Sequence, residues 1–309
     1  MANHDNSNKD YRAFIHPARD GLRHRPELLR VKQHASHLWR QTWKGFVRWM
    51  GDTRIRRINS YFITPEHQAY MDRHLLPGDI MIVRKNWFLS NIFLPGFWSH
   101  AVLYLGEPQK LEAYFDTTDI RAYFATITGS NLSLVQYLQT YCPMQWESYA
   151  RGTPAEPYRV TEAICDGVVF NTLGGVAGDY AAALRPCLSK LAKAQAIVEA
   201  FRHVGKPYDF DFNFATDHTL VCTELVWRSY RPANGKDGLD LPLVRIIGRP
   251  TFPANNLARL YAQTRQSPQA QLEFVLFFDA LERSLTATLS SEEEFSKTHM
   301  RSKWDFALP

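Results

Sequence analysis

Cys222 and His100 have the chemistry of a nucleophile and its base. Cys222 opens the stretch CTELVWRSY, residues 222–230, which reads as a short helix entered from His218–Val221. Unsatisfied N–H groups at a helix start favour negative charge there. They lower a thiol's pKa and hold the oxyanion formed when a carbonyl is attacked. The plainer reading of the same cysteine is a small buried residue on an apolar helix face. His100 stands at the mouth of the strand-like stretch SHAVLYLG, 99–106. Alternation would put His100, Val102 and Tyr104 on one face. An imidazole with an ordinary pKa of about 6.5 suits proton transfer from a thiol; a core histidine held by a backbone group is the plainer alternative. A third group should orient the imidazole. Glu162 is the first choice, because a carboxylate within VTEAI is costly unless paired. Glu112, in LEAYF, is its rival, since a simple hairpin from His100 would bring it close. A solvent-facing glutamate is the alternative for either.

The elements that must position these groups follow from periodicity and turn chemistry. Pro65 starts a helix over 65–75, and Leu76-Pro77-Gly78-Asp79 turns the chain into the strand Ile80–Val83. An apolar loop, 86–98, leads into the His100 strand. Residues 107–157, punctuated by Gly129, Pro143, Gly152, Pro154 and Pro157, read as an irregular insertion between core strands. Strands at 158–164 and 167–170 bend around Asp166-Gly167, and a glycine-rich loop follows. A strong helix at 188–204 stops at Gly205-Lys206-Pro207. An aromatic segment, Tyr208–Phe214, then precedes the Cys222 helix. Beyond it come a helix at about 254–264, the apolar run 272–278 and a charged helix. No repeat of 20–50 residues is present.

Composition narrows the function classes. The 309 residues are 45% hydrophobic and 22% charged, which is globular composition. The net charge of +5 is uneven: residues 1–60 carry 13 Lys and Arg against 5 Asp and Glu, so the rest is acidic by 3. That argues against a nucleic-acid groove across the body, and no nucleic-acid partner is expected. It allows a basic arm. Within the arm, Trp39, Trp43, Phe46, Val47 and Met50 form one face of a helix over 27–50, and Arg40, Lys44 and Arg48 form a second stripe. Such a helix can lie on an anionic membrane surface; packing on the domain is the commoner use of the stripe. The uncharged run 86–106 is long enough to span a bilayer, but Pro95-Gly96 and several polar residues interrupt it, so a loop is the better reading. Four cysteines without a CxxC pair, and the absence of an apolar leader, point to a reducing cytoplasmic compartment. No metal site, phosphate-binding loop or serine elbow is present.

Four strings in order, LPGDIMIV, SHAVLYLG, VTEAICDGVVFNTL and GKPYDFDFNFATDHTLVCTELVWRSY, resemble the permuted branch of the NlpC-type papain-like hydrolases. Within that branch they are most similar to the YiiX/YebB-like cysteine hydrolases; lecithin retinol acyltransferase belongs to the same branch. The resemblance covers roughly 76–106 and 158–231. It implies an α+β, circularly permuted papain-like fold in which a small, mostly antiparallel sheet packs on helices and the histidine strand precedes the cysteine helix. It also implies His100 as base, Glu162 as the polar third member, Cys222 as nucleophile and Tyr208, in GKPYDF, as a substrate contact, with no cofactor. The expected organisation is a basic extension (1–60), a catalytic domain (61–265) with the insertion 107–157, and a C-terminal extension (266–309) packed on the domain. The activity implied is cleavage of an amide bond through a thioester. The apolar loop and basic helix raise a second possibility, lipid amide or ester cleavage or acyl transfer at a membrane surface. A non-catalytic binding module on the same fold is the third.

Overall fold

A run of apolar residues with no polar alternation predicts a strand covered on both faces, and Ile80–Val83 forms one. The computed structural model describes Thr53 and residues 60–88, 95–153, 155–209, 219–233, 235–246 and 248–304. The helix expected at 27–50 lies outside the described residues, as does most of the basic extension. Strand β1 (Ile80–Arg84), buried along its whole length, lies near the middle of the sheet. It is followed by β2 (His100–Tyr104), β3 (Val160–Ile164), β4 (Gly167–Asn171) and β5 (Tyr180–Pro186). A separate small hairpin, β6 (Val244–Ile246) and β7 (Arg249–Thr251), comes next, and β8 (Leu272–Leu281) and β9 (Thr286–Leu289) return to the main sheet. The seven-stranded order is β4-β3-β2-β1-β5-β8-β9, and each neighbouring pair is antiparallel.

Two expectations are corrected. The glycine-rich loop after β4 runs into β5, a strand with no counterpart in the sequence reading. Its Ala181, Ala182 and Ala183 are weak strand formers, and pairing with β1 on one side and β8 on the other overrides that preference. The insertion 107–157 is helical: α2 (Pro108–Phe115), α3 (Thr118–Thr128), α4 (Leu134–Tyr141) and α5 (Pro143–Ala150) follow α1 (Pro65–His74). Its prolines and glycine punctuate helix ends rather than breaking interiors. Pro108 and Pro143 occupy first turns. Gly129 caps α3 at φ 74°, and Ser133 starts α4 with a capping box to Gln136. Beyond 265, where a C-terminal extension packed on the domain is expected, the apolar run forms β8, hydrogen-bonded to β5 within the sheet.

The remaining helices cover the sheet. After the single turn α6 (Leu173–Val176) come α7 (Lys190–His203) and α8 (Cys222–Tyr230), which pack on each other. All four insertion helices contact α7. Helix α9 (Asn255–Thr264) packs on α10 (Glu292–Lys297) and the turn after it. No described helix is long and apolar enough to cross a membrane.

Candidate active site

Strand register brings His100 and Glu162 to one face of the sheet. Tyr104 of β2 lies opposite Val160 of β3, so His100, four residues back along β2, shares a face with Glu162, two residues on along β3. On the other side of β3, Val160 lies opposite Asn171 of β4, which adds Asn171 to that face. The side chains then join. His100 Nε2 lies 2.6 Å from Glu162 Oε2, and Asn171 Nδ2 donates to Glu162 Oε1 at 2.6 Å. The Thr172 backbone N–H donates to Asn171 Oδ1 at 2.8 Å, which fixes the amide with its nitrogen toward the carboxylate. Both carboxylate oxygens are thereby used, as a carboxylate only 4% exposed requires.

Helix α8 sets Cys222 against this pair. Its first residue is Cys222, preceded by the extended Val221, and it packs on β2 and β3. Cys222 and His100 are near enough that each shifts the other's proton affinity. Burial alone would push the thiol up. The charge and hydrogen bond of His100, with backbone hydrogen bonds from Ala101 and Thr223, bring it below the ordinary thiol value. Burial alone would likewise lower the imidazolium. The Cys222 thiolate and its hydrogen bond, then Glu162, raise His100 to about 10. Burial opposes the ionised Glu162 as well, but His100, Asn171 and Lys85 hold it below the ordinary carboxylate range. The three shifts point one way: each charged neighbour favours the ionised form of the next, thiolate, imidazolium and carboxylate.

Tyr208 reaches the same place through the backbone. It bridges Leu220 in parallel, with Asp209 N–H donating to the Leu220 carbonyl and Leu220 N–H to the Pro207 carbonyl. Burial first, then Cys222, Cys165 and Asp209, hold its phenol well above the ordinary value, so it stays protonated beside the thiol. The remainder of the aromatic segment, 210–218, lies outside the described residues. Glu112 is elsewhere: β2 runs into α2 rather than into a hairpin strand, and the Ser133 hydroxyl donates to the Glu112 carboxylate at 3.1 Å.

Two groups escaped the sequence reading. Asn171 closes β4, and its signal was a polar residue after the apolar alternation GVVF. Asn255, buried at the start of α9, acts on the segment ahead of His100: its Oδ1 accepts from Phe97 N–H at 3.1 Å and Trp98 N–H at 3.3 Å. Its Nδ2 donates to the His299 carbonyl at 3.0 Å. Trp98 Nε1 donates to Thr298 Oγ1 at 2.9 Å. The buried Arg84 adds hydrogen bonds to the Phe97 and Lys303 carbonyls. The start of β2 is thus fastened to the end of the described chain. Among the described residues, no group of three or more His, Cys, Asp or Glu could hold a metal.

In chain order the imidazole strand comes first, the carboxylate strand next and the thiol helix last. An α+β fold built in that order is of the permuted papain-like class. The chain belongs to the permuted papain-like amidase enzymes of the YaeF/YiiX, C92 family, whose profile matches residues 74–276. The match runs through the helical insertion and into β8. The protein is therefore an enzyme, an amide-hydrolysing cysteine hydrolase at the level the family defines. Comparison with curated proteins and with solved structures finds no similar chain.

Proposed function

We propose that the protein cleaves an amide bond by covalent catalysis, with Cys222 as nucleophile, His100 as acid and base, and Glu162 orienting the imidazolium. The observation that carries this reading is the 2.6 Å pair of His100 with the buried Glu162 on two strands against which the helix opening at Cys222 packs. The thiolate adds to the carbonyl carbon, and the electron pair moves to oxygen. N–H groups at the start of α8 receive that oxyanion. As the intermediate collapses the C–N bond breaks, and a ring proton of the His100 imidazolium goes to the departing amine, leaving a thioester. The neutral imidazole then takes a proton from water. Hydroxide adds to the thioester, the C–S bond breaks, and the carboxylic acid leaves with the thiolate restored. Tyr208, protonated beside the thiol, contributes a substrate contact. Four free cysteines support thiol chemistry in a reducing, cytoplasmic setting.

Acid-quenched mass spectrometry on a panel of fluorogenic N-acyl and peptidyl amides tests the reading. The expected result is an acyl adduct on the Cys222 peptide, absent in His100→Ala, and amide turnover reduced by about 10³-fold or more in Cys222→Ala. Turnover that survives Cys222→Ala would overturn it.

A lipid amide or ester as substrate is the second reading. The observation in its favour is apolar exposure on the helical insertion, where Ile127, Tyr141 and Met144 are each more than half exposed. Binding to phosphatidylglycerol vesicles, lost on charge reversal of Arg40, Lys44 and Arg48, favours the lipid. No binding favours a peptide.

A further inference from the structure

We infer that the cavity beside the C-terminal end of the Cys222 helix binds a small molecule bearing an oxyanion group, a phosphate or a carboxylate. This inference does not rest on the catalytic reading. Helix α8 has nine residues, so its two ends are separated by about 13 Å at ~1.5 Å per residue. Neither Cys222, His100, Glu162 nor Tyr208 lines the cavity.

The cavity has a volume of about 400 Å³, and four cations line it: Arg202, Arg228, Arg231 and Lys236. Glu199 is the one carboxylate among the lining residues. Two of the cations are already matched. Arg228 pairs with the buried Glu224 at 2.8 Å, and Arg202 reaches Glu199 at 3.4 Å. Arg231 stacks over Trp227 with 5.1 Å to the ring centre. Lys236 donates to the Ser229 carbonyl. Among the described residues, neither of these two has a carboxylate within ion-pair distance.

Helix C-termini attract cations, and both α7 and α8 end here. That explains why cations gather, but a carbonyl end carries only about half a charge and leaves the excess in place. The cations also feel one another. Burial first, against some attraction from Glu199, and then repulsion from Arg231 and Arg202, bring Lys236 down to about 8. An anion between them would relieve that repulsion and accept the paired N–H donors of a guanidinium. The opposite wall, Tyr123, Phe124 and the half-exposed Ile127, is apolar enough to receive an uncharged remainder.

Differential scanning fluorimetry of the full chain at constant ionic strength tests this, with pyrophosphate, inorganic phosphate and citrate set against sodium chloride. The expected result is a saturable rise in Tm with at least one oxyanion. The double variant Arg231→Gln/Lys236→Gln should weaken the apparent affinity at least tenfold. Arg151→Gln, from an exposed pair with Glu147, should keep it. Preference for pyrophosphate or for citrate distinguishes a phosphate ligand from a carboxylate one. If circular dichroism shows that the double variant is unfolded, Arg231→Gln, at an exposed position, replaces it. No saturable rise with any of the three, or a rise that the folded variant retains in full, would overturn the inference.

Discussion

A cysteine enclosed by apolar neighbours is normally protonated and inert. Cys222 is only 8% exposed, yet its thiol is acidified, because a cation and two backbone hydrogen bonds face it. The dependence is mutual, so each partner's proton affinity reports the other. In Cys222→Ser the thiolate is gone, and His100 should titrate well below its value of about 10. The sign follows from the lost anion, since the imidazolium then releases its proton at lower pH. Imidazole NMR over a pH series measures this, and an unmoved titration would mean that the thiol is not the partner. Glu162→Gln removes the other anion and should lower kcat/KM at least tenfold, or ~1.4 kcal/mol of transition-state stabilisation. Cys222, His100 and Glu162 were legible as residue types because each is unusual in its local surroundings: a thiol opening a helix, an imidazole and a carboxylate within apolar strands. Asn171 and Asn255 were not. A polar residue at an element's end is ordinary, and what singles these two out is a partner 9 or 158 positions away.

At the scale of elements, the turn between β3 and β4 carries a constraint on the site. Gly167 has φ 109°, and a Cβ there would meet the Lys206 carbonyl oxygen at 2.5 Å. The same turn docks the chain that leads to Tyr208, because Val168 N–H donates to the Lys206 carbonyl and Gly205 N–H to the Val168 carbonyl, both at 2.9 Å. Gly167→Ala should therefore cost roughly 1–3 kcal/mol and displace Tyr208. Thermal denaturation together with KM measures both effects, and an unchanged Tm would show that the turn adapts. Most strands and long helices were legible from periodicity, including β1, β2, α7 and α9. Strand β5 was hidden because alanines carry no period-2 contrast and take their conformation from two neighbouring strands. The insertion helices were hidden for a different reason: each is short, and its proline or glycine marks an end, not a break.

The whole molecule enters through the fastening of β2. Asn255, Thr298 and Lys303 are far from His100 in sequence, yet Asn255 and Thr298 directly, and the Lys303 carbonyl through Arg84, fix Phe97 and Trp98, just ahead of it. Asn255→Ala strands two buried N–H groups, at a cost of about 1–3 kcal/mol each. The expected outcome is a Tm lower by several degrees and a reduced kcat with labelling of Cys222 by iodoacetamide still selective. Stability equal to wild type would show that water or another side chain takes over. This long-range brace was invisible to local pattern reading, which sees only residues near one another in sequence. It has a consequence for the order in which a ribosome delivers the chain. His100 emerges first, Glu162 next, Cys222 third, and the residues that fix the His100 strand only afterwards. A nascent chain released soon after Tyr230 would hold His100, Glu162 and Cys222 and lack the parts that hold the His100 strand in place.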